Sequence, residues 1–224
     1  MSDYTSYYTE QLGEAEKQIW NDAAILFEEL LNELNSKNLL RRGTLRMDRE
    51  RLMLIWQNSR SYGLALNEMI HKFDSEEALK EFASSSGLTL DVITYIFMSQ
   101  LIGTALIDFE SVLKTSLLFF LEEESGIKRT MTLGKLLNQI KKISPDIGER
   151  LIKMVNTDVR NALAHGTFWF KEGGKVFLAT NSYLDEAKEV ELYQFWIEIK
   201  RINIISHAFV NVLHQKMVAG YLRI

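Results

Sequence analysis

The sequence contains no cysteine and only one proline among its 224 residues. Without cysteine the chain has no disulfide bonds and no thiolate ligands for a zinc site. This composition suits a reducing compartment, and we expect a cytoplasmic protein. The scarcity of proline, together with many Leu, Ile, Glu and Lys residues, favours helix over strand.

No apolar run in the sequence is long enough for a membrane span. The most apolar stretch, Val92 to Ile107, is interrupted by polar residues and bounded by Asp91 and Asp108. A spanning helix needs about 18 or more apolar residues. Residues 1–4 begin neither a basic leader nor an apolar signal segment. We therefore expect no contact with a membrane and a buried core helix over the apolar stretch.

Phosphate-binding loops and metal-ligand clusters are also missing. Neither G-x-x-x-x-G-K-[ST] nor G-x-G-x-x-G occurs, which excludes nucleotide binding by those two devices. His207 and His214 would lie about 10 Å apart along a helix, which is too far to share one ion. We expect neither a metal nor a cofactor. A net charge of −4 argues against a general nucleic-acid coat but leaves room for a local basic site.

Helical periodicity dominates what is present. It predicts helices over Glu14–Asn35, Asp48–Lys72, a short segment opened by Asp74, Thr89–Glu123, Thr132–Ile143, Asp146–Ala164 and Glu189–Gly220. Residues 167–180, with Gly173-Gly174 at their centre, are typical of a β-hairpin. Ser84-Ser85-Ser86-Gly87 is the linker-like tract. The sequence therefore predicts an all-α helical bundle with a small β-hairpin, residues 88–224, preceded by an N-terminal helical extension, residues 1–87.

The segment Arg160-Asn161-Ala162-Leu163-Ala164-His165, followed by Gly166, carries the most chemistry. A guanidinium, a carboxamide and an imidazole within six residues can clamp a phosphate, orient a hydroxyl and move a proton. The same three side chains near a helix C-terminus can also form an ordinary solvated helix end.

The predicted helix Asp146–Ala164 also indicates which way these groups face. At about 100° per residue, Ile152, Val155, Val159 and Ala162 share one apolar stripe. Ala164 lies almost opposite that stripe, with Arg160 on one side and Asn161 and His165 on the other. We expect the polar trio to face away from the core, beside a small residue that would let a second copy of the chain pack closely.

Glu110 and Lys114 form a second charged pattern, four residues apart in an otherwise apolar predicted helix. An ordinary helical ion pair of this kind is worth about 0.2–0.5 kcal/mol. Because apolar neighbours surround the pair, it would carry a desolvation cost, and apolar replacements would often be no worse for stability. This favours a role in a site.

Glu-x3-Lys, a long gap and Arg-x4-His together resemble the extended pattern of the HEPN superfamily, here on Glu110, Lys114, Arg160 and His165. The resemblance covers about Leu88 to the C-terminus. It implies a metal-independent endoribonuclease with a site shared across a homodimer and with a toxin or defence role. His165 would transfer the proton, Arg160 would bind the scissile phosphate, and Asn161 would orient the 2′-OH or His165. Glu110 and Lys114 would support them.

The resemblance also implies candidate partners besides RNA. HEPN domains often pair with nucleotidyltransferase-type antitoxins, and in the toxins so regulated a Tyr stands two residues after the motif His. Thr167 occupies that position here, so control by tyrosine modification is not expected. Two other interpretations stay open. The chain could be a non-catalytic module that binds a nucleotide or a protein partner, or a plain helical scaffold.

Two further clusters have a structural and a functional interpretation. The basic cluster Arg41, Arg42, Arg46, Arg49 and Arg51 is either a solvated loop and helix start or a contact to an RNA backbone. The aromatic cluster Phe168, Trp169 and Phe170 either packs the hairpin onto the bundle or stacks a base.

Overall fold

The structure is a computed structural model that describes residues 10, 12–40, 46–72, 76–89, 92–93, 108–128, 130–155, 162, 167–171, 175–179 and 187–218. These residues are mostly helical and include a small three-stranded antiparallel sheet. A mostly helical fold with a small β element, as the sequence predicts, is therefore confirmed. None of the helices in these ranges is long and apolar enough to cross a membrane.

The helices are, in chain order, α1 Glu14–Ser36, α2 Arg46–Lys72, α3 Glu76–Ser86, α4 residues 108–120, α5 Leu133–Ile143, α6 Pro145–Met154 and α7 Leu192–Val218. The predictions for α1 and α5 are confirmed almost to the residue. Local signals explain this accuracy: the Glu16 carboxylate accepts the Gly13 N–H at 2.9 Å at the start of α1, and Pro145 prevents α5 from continuing while it starts α6.

The predicted helix Asp146–Ala164 is wrong as one continuous element. Its first part, α6, ends at Met154, and Val155 is extended with φ −98° and ψ 104°. Ala162 is helical again, so the apolar stripe expected to run from Ile152 to Ala162 is interrupted. Val155 is β-branched and is followed in the sequence by Asn156-Thr157-Asp158, whose side chains compete with helix hydrogen bonds.

The predicted Thr89–Glu123 helix also ends earlier than expected. Residues 94–107 lie outside the described ranges, and α4 ends at residue 120. Leu121 forms an antiparallel bridge with Leu40, and a 3-10 turn, Glu123–Ser125, follows. Gly126 has a left-handed backbone with φ 69°, a conformation that glycine adopts at little cost. The glycine is therefore a stop signal, as predicted, but a tertiary bridge ends the helix first.

The predicted hairpin is confirmed. Strand β1, Phe168–Lys171, pairs antiparallel with β2, Lys175–Leu178, in the register Phe168 to Leu178. A third strand, β3, Lys188–Glu191, pairs with β2 and was not predicted. The helix expected from Glu189 begins at Leu192 instead. Glu and Lys favour helices, but the cross-strand pairing of Val190 with Val176 outweighs that preference.

The chain divides into two compact units. Unit 1 comprises Met1–Arg60, Asp108–Val155 and Arg201–Ile224, and unit 2 comprises Ser61–Ile107 and Asn156–Lys200. Each unit draws on residues before and after the predicted boundary at Gly87. The role of residues 1–87 as a separate extension stays a prediction.

The core of unit 1 holds α4 firmly. Phe27 of α1 contacts Phe209 of α7 with ring centroids 4.5 Å apart. Trp56 of α2 lies 6.5 Å from Phe120 of α4 and donates its indole N–H to Ser116 Oγ at 3.0 Å. All five side chains are buried. Because apolar packing and a buried hydrogen bond both fix α4, the residues on its outer side have a defined position.

The corner between α5 and α6 is tied to α1. Ser144 Oγ donates to Glu33 Oε2 at 2.6 Å, and Lys37 Nζ lies 2.8 Å from Glu33 Oε1. Lys37 first and Ser144 second hold the pKa of Glu33 below its ordinary value. The two helices approach closely at Gly148, where a Cβ atom would lie 2.2 Å from the Lys141 Cα. Only glycine fits this contact.

Candidate active site

Glu110 and Lys114, the supporting pair of the predicted site, lie on the outer side of α4. Lys114 Nζ is 3.5 Å from Glu110 Oε1, and their side chains are 26% and 28% exposed respectively. Lys114 Nζ also contacts the Met131 carbonyl at 3.4 Å. Both contacts are longer than a typical charged hydrogen bond of about 2.7–2.9 Å. The lysine ammonium, which has three donors, is therefore held loosely.

The expected apolar surroundings of this pair are only partly present. Phe109, Val112, Leu113 and Leu117 of α4 are buried, but the pair itself lies at the edge of that buried face. The desolvation cost assumed from the sequence is therefore too high, because both charged groups reach solvent. The pair is less buried than the sequence predicts, and its role in a site stays a prediction.

Lys114 lines a cavity of about 690 Å³ within unit 1. Arg51 of α2 and Lys128 of the segment after α4 line the same cavity, and both are exposed. Within the described ranges, neither of these two cations forms an ion pair with a carboxylate. Glu122 and Glu123 also contribute to the wall. The structure thus brings together three basic side chains from separate segments of the sequence.

The segment that closes the cavity is pinned by backbone and side-chain hydrogen bonds. Glu122 N–H donates to the Leu39 carbonyl at 2.9 Å, and the Gln139 amide donates to the Ser125 carbonyl at 2.8 Å. Met131 N–H donates to the Lys128 carbonyl at 3.0 Å. These hydrogen bonds hold the cavity wall in place before a ligand binds.

The predicted catalytic residues Arg160, Asn161 and His165 lie outside the described ranges, as does Ala164. Their orientation stays a prediction, but the residues on either side of His165 are described. Ala162 is helical and fully buried. Its carbonyl accepts the Thr167 N–H at 2.8 Å.

Thr167 in turn is fixed to the end of the hairpin. Its hydroxyl donates to the Ala179 carbonyl at 2.5 Å, and Ala179 N–H donates to the Thr167 carbonyl at 2.8 Å. Ala179 is buried. Both ends of the short segment from Ala162 to Thr167 are therefore anchored inside unit 2.

Trp169, from the aromatic cluster after the motif, packs against the second strand of the hairpin. The Trp169 ring stacks on the Phe177 ring with centroids 5.4 Å apart and an angle of 8°, and both side chains are half-buried. The Lys171 ammonium lies 5.3 Å from the Phe177 ring centroid. This agrees with a packing role for Trp169, while Phe170 lies outside the described side chains. Arg51 is the one described side chain of the basic cluster, and it lines the cavity.

Sequence reasoning missed a partly buried carboxylate in unit 1. Asp108 on α4 accepts hydrogen bonds from Ser59 Oγ of α2 at 2.7 Å and from Ser206 Oγ of α7 at 3.3 Å. Burial raises the pKa of Asp108, and the two hydroxyls offset only part of that increase. The sequence marked Asp108 only as the end of an apolar run, because nothing local connects it to serines 49 and 98 residues away.

The Asp108→Asn variant should be more stable than the wild type at neutral pH. The raised pKa means that the folded state disfavours the charged carboxylate, so stability is lost as pH rises from the ordinary pKa of 3.8 through the folded value. Asparagine keeps an acceptor for both hydroxyls and has no charge to bury. Melting curves should show a Tm difference that grows as the pH rises above the ordinary pKa of 3.8.

The exposed residue Asp22 provides the control, since Asp22→Asn should shift Tm by a margin that does not grow in that way. A Tm advantage of Asp108→Asn that shrinks as pH rises would contradict the inferred burial of charge.

Within the described ranges, no group of three His, Asp or Glu residues is arranged to hold a metal ion. Comparison with known proteins finds no matching family model, no matching curated protein and no matching solved structure.

Proposed function

We propose that this chain is a metal-independent endoribonuclease of the HEPN type. The observation that carries the proposal is the combination of Arg160-x4-His165 with Glu110-x3-Lys114, two patterns that together supply a proton carrier, a phosphate ligand and supporting charges. The protein would act as a homodimer whose cleft uses residues of both copies. A toxin or defence role, with an antitoxin or nucleotidyltransferase-type partner, belongs to the same proposal.

In the proposed reaction, the 2′-oxygen of one nucleotide forms a bond to the adjacent phosphorus, and the bond from phosphorus to the 5′-oxygen of the next nucleotide breaks. The products are a 2′,3′-cyclic phosphate and a 5′-hydroxyl. The proton leaves the 2′-OH and reaches the departing 5′-oxygen with His165 as carrier, since an imidazole titrates near neutral pH. Arg160 binds the phosphate and offsets the charge that develops there.

The anchoring of the motif segment supports this assignment. The bond from Thr167 N–H to the Ala162 carbonyl spans six residues, as does the bond that closes a Schellman motif at a helix C-terminus. That motif normally has a glycine directly before the donor residue, and the sequence supplies Gly166 there. The two described ends of the segment that contains His165 are therefore held in place, which suits the positioning of a catalytic group.

The surroundings of Lys114 supply a second argument. An acidic protein that cleaves RNA needs a local concentration of positive charge to hold phosphate. Lys114 shares its cavity with Arg51 and Lys128, and these two cations pair with no carboxylate among the described residues. The wall that Lys114 lines therefore has basic groups available for an anion.

The direct test is cleavage of a defined RNA by the purified full chain in the presence of EDTA. We expect products that end in a cyclic phosphate and begin with a 5′-hydroxyl, as determined by mass spectrometry. An RNA with a single 2′-deoxy nucleotide at the cleavage position should resist cutting there, because the nucleophile is missing. Products with a 5′-phosphate, or activity that disappears in EDTA, would contradict the proposed chemistry.

The pair Glu110 and Lys114 should serve activity much more than stability. A half-exposed helical ion pair contributes about 0.2–0.5 kcal/mol, so the double variant Glu110→Gln, Lys114→Met should melt close to the wild type. Its cleavage rate should fall by about tenfold or more, and each single change should have a similar effect, because coupled residues are not additive. Melting curves and rates for the complete mutant cycle would measure both.

The ion pair between Lys141 and Glu149, 2.8 Å apart in the same unit, is the matched control. Its removal by Lys141→Met, Glu149→Gln should leave cleavage unchanged. If the Glu110, Lys114 double variant were strongly destabilised and yet cleaved RNA normally, the pair would be structural and the extended pattern would lose its support.

A further inference from the structure

The cavity in unit 1 is lined by three kinds of side chain. Arg51, Lys114 and Lys128 provide positive charge, and Phe119 provides an aromatic surface next to aliphatic side chains. Glu123 and the Thr115 hydroxyl provide hydrogen-bond acceptors. A volume of about 690 Å³ falls within the range of about 300–1,000 Å³ that is usual for small-molecule sites.

We infer that this cavity binds a nucleoside phosphate, either a free nucleotide or one nucleotide unit of an RNA strand. The three kinds of side chain correspond to the three parts of such a ligand. Basic side chains form charged hydrogen bonds to phosphate oxygens. Carboxylates accept hydrogen bonds from ribose hydroxyls, and aromatic rings stack on bases. A simple inorganic anion would use only the basic side chains.

The basic side chains of the cavity are available to bind the phosphate group of the ligand. Within the described ranges Arg51 and Lys128 have no carboxylate partner, and the two contacts of Lys114 are both 3.4 Å or longer. An arriving phosphate would therefore not have to displace strong ion pairs. Binding would instead form charged hydrogen bonds between the phosphate oxygens and the basic side chains of the cavity.

The cavity shares Lys114 with the proposed catalytic site but also includes Arg51. Arg51 belongs to α2, in the part of the chain that the HEPN resemblance does not cover. All the described residues that line the cavity belong to unit 1. Because Arg51, Lys114 and Lys128 line the cavity, binding there can be measured whether or not the chain cleaves RNA.

The test is equilibrium binding of adenosine monophosphate to the full chain by titration calorimetry, with inorganic phosphate and adenosine as partial ligands. We expect saturable binding of the nucleotide at least about tenfold tighter than either part alone, because all three kinds of side chain contribute. The double variant Arg51→Gln, Lys128→Gln should weaken binding by about tenfold or more. Both residues are exposed, so their replacement should not disturb folding. Exposed Lys153 of the same unit, changed to Gln, is the control that should bind normally.

A second variant tests the cavity by shape and not by charge. Thr115→Trp should fill the space and abolish nucleotide binding, whereas Thr115→Ser should preserve it. Circular dichroism confirms that each variant is folded. If the tryptophan variant does not fold, the charge variants still decide the question.

A short RNA, titrated into the His165→Ala variant, identifies the source of the ligand. Tight binding of the mononucleotide alone supports a free nucleotide, and tighter binding of the RNA supports a strand. The absence of saturable binding for both would overturn the inference, as would equal affinity for nucleotide and inorganic phosphate or normal binding by the Arg51, Lys128 variant. Nucleotide binding without any RNA cleavage would keep this inference while removing the proposed function.

Discussion

His165→Ala and Arg160→Ala should each reduce RNA cleavage by about a hundredfold to a thousandfold, the usual effect of losing one transition-state contact. His165→Ala removes the proton carrier, and Arg160→Ala removes the ligand of the scissile phosphate. Neither side chain is expected to hold the core, so the helical content and Tm should stay near those of the wild type. Single-turnover rates measured in EDTA, with circular dichroism beside them, would check both statements. Wild-type rates in either variant would remove that residue from the active site.

Mixing the two inactive variants tests the shared cleft. If each cleft draws on both copies, a mixed dimer of one Arg160→Ala chain and one His165→Ala chain retains one arginine and one histidine. Partial recovery of activity is then expected after subunit exchange. Continued inactivity of a mixture shown to contain mixed dimers would remove the shared-site model and leave the catalytic assignment of both residues in place.

Gly148→Ala should destabilise unit 1 by about 1–3 kcal/mol or more, the usual cost of overpacking. The new Cβ would lie 2.2 Å from the Lys141 Cα and 2.6 Å from the Lys141 backbone nitrogen. A flexible side chain could turn away, but a backbone cannot, so α5 and α6 must separate. Denaturant unfolding of the full chain, followed by circular dichroism, would measure the loss.

Gly134 in α5 provides a matched control for this change. Nothing lies within 4 Å of a Cβ atom built at Gly134, and alanine favours a helix over glycine by about 0.5–1 kcal/mol. Gly134→Ala should therefore be neutral or stabilising. Equal effects of the two substitutions would show that helix preference, and not the close approach of α5 and α6, determines the role of Gly148.

Elements with signals at both ends could be predicted from the sequence. Apolar periodicity and terminal residues located α1 and α5, and Gly173-Gly174 between two β-forming runs located the hairpin. The sequence missed β3 and the early ends of α4 and α6. Pairing of Val190 with Val176 and of Leu121 with Leu40 depends on contacts distant in sequence, which local preference does not encode.

The candidate site could likewise be predicted from the sequence only in part. Helical spacing correctly placed Glu110 and Lys114 as a contacting pair, since residues four apart share a helix face. It overestimated their burial, because exposure depends on what packs against α4. The meeting of Arg51, Lys114 and Lys128 in one cavity had no sequence signal, since each residue comes from a different segment.

The contact between Phe27 and Phe209 has a consequence for the order of events during synthesis. The two rings are separated by most of the chain, yet they meet in the core of unit 1. The apolar face of α1 therefore leaves the ribosome long before its final partner and must wait while the intervening residues are made. Such exposed surface is prone to aggregation and chaperone binding. Unit 1 can be completed only after translation has passed residue 209, so its core forms late although its first helix is made early.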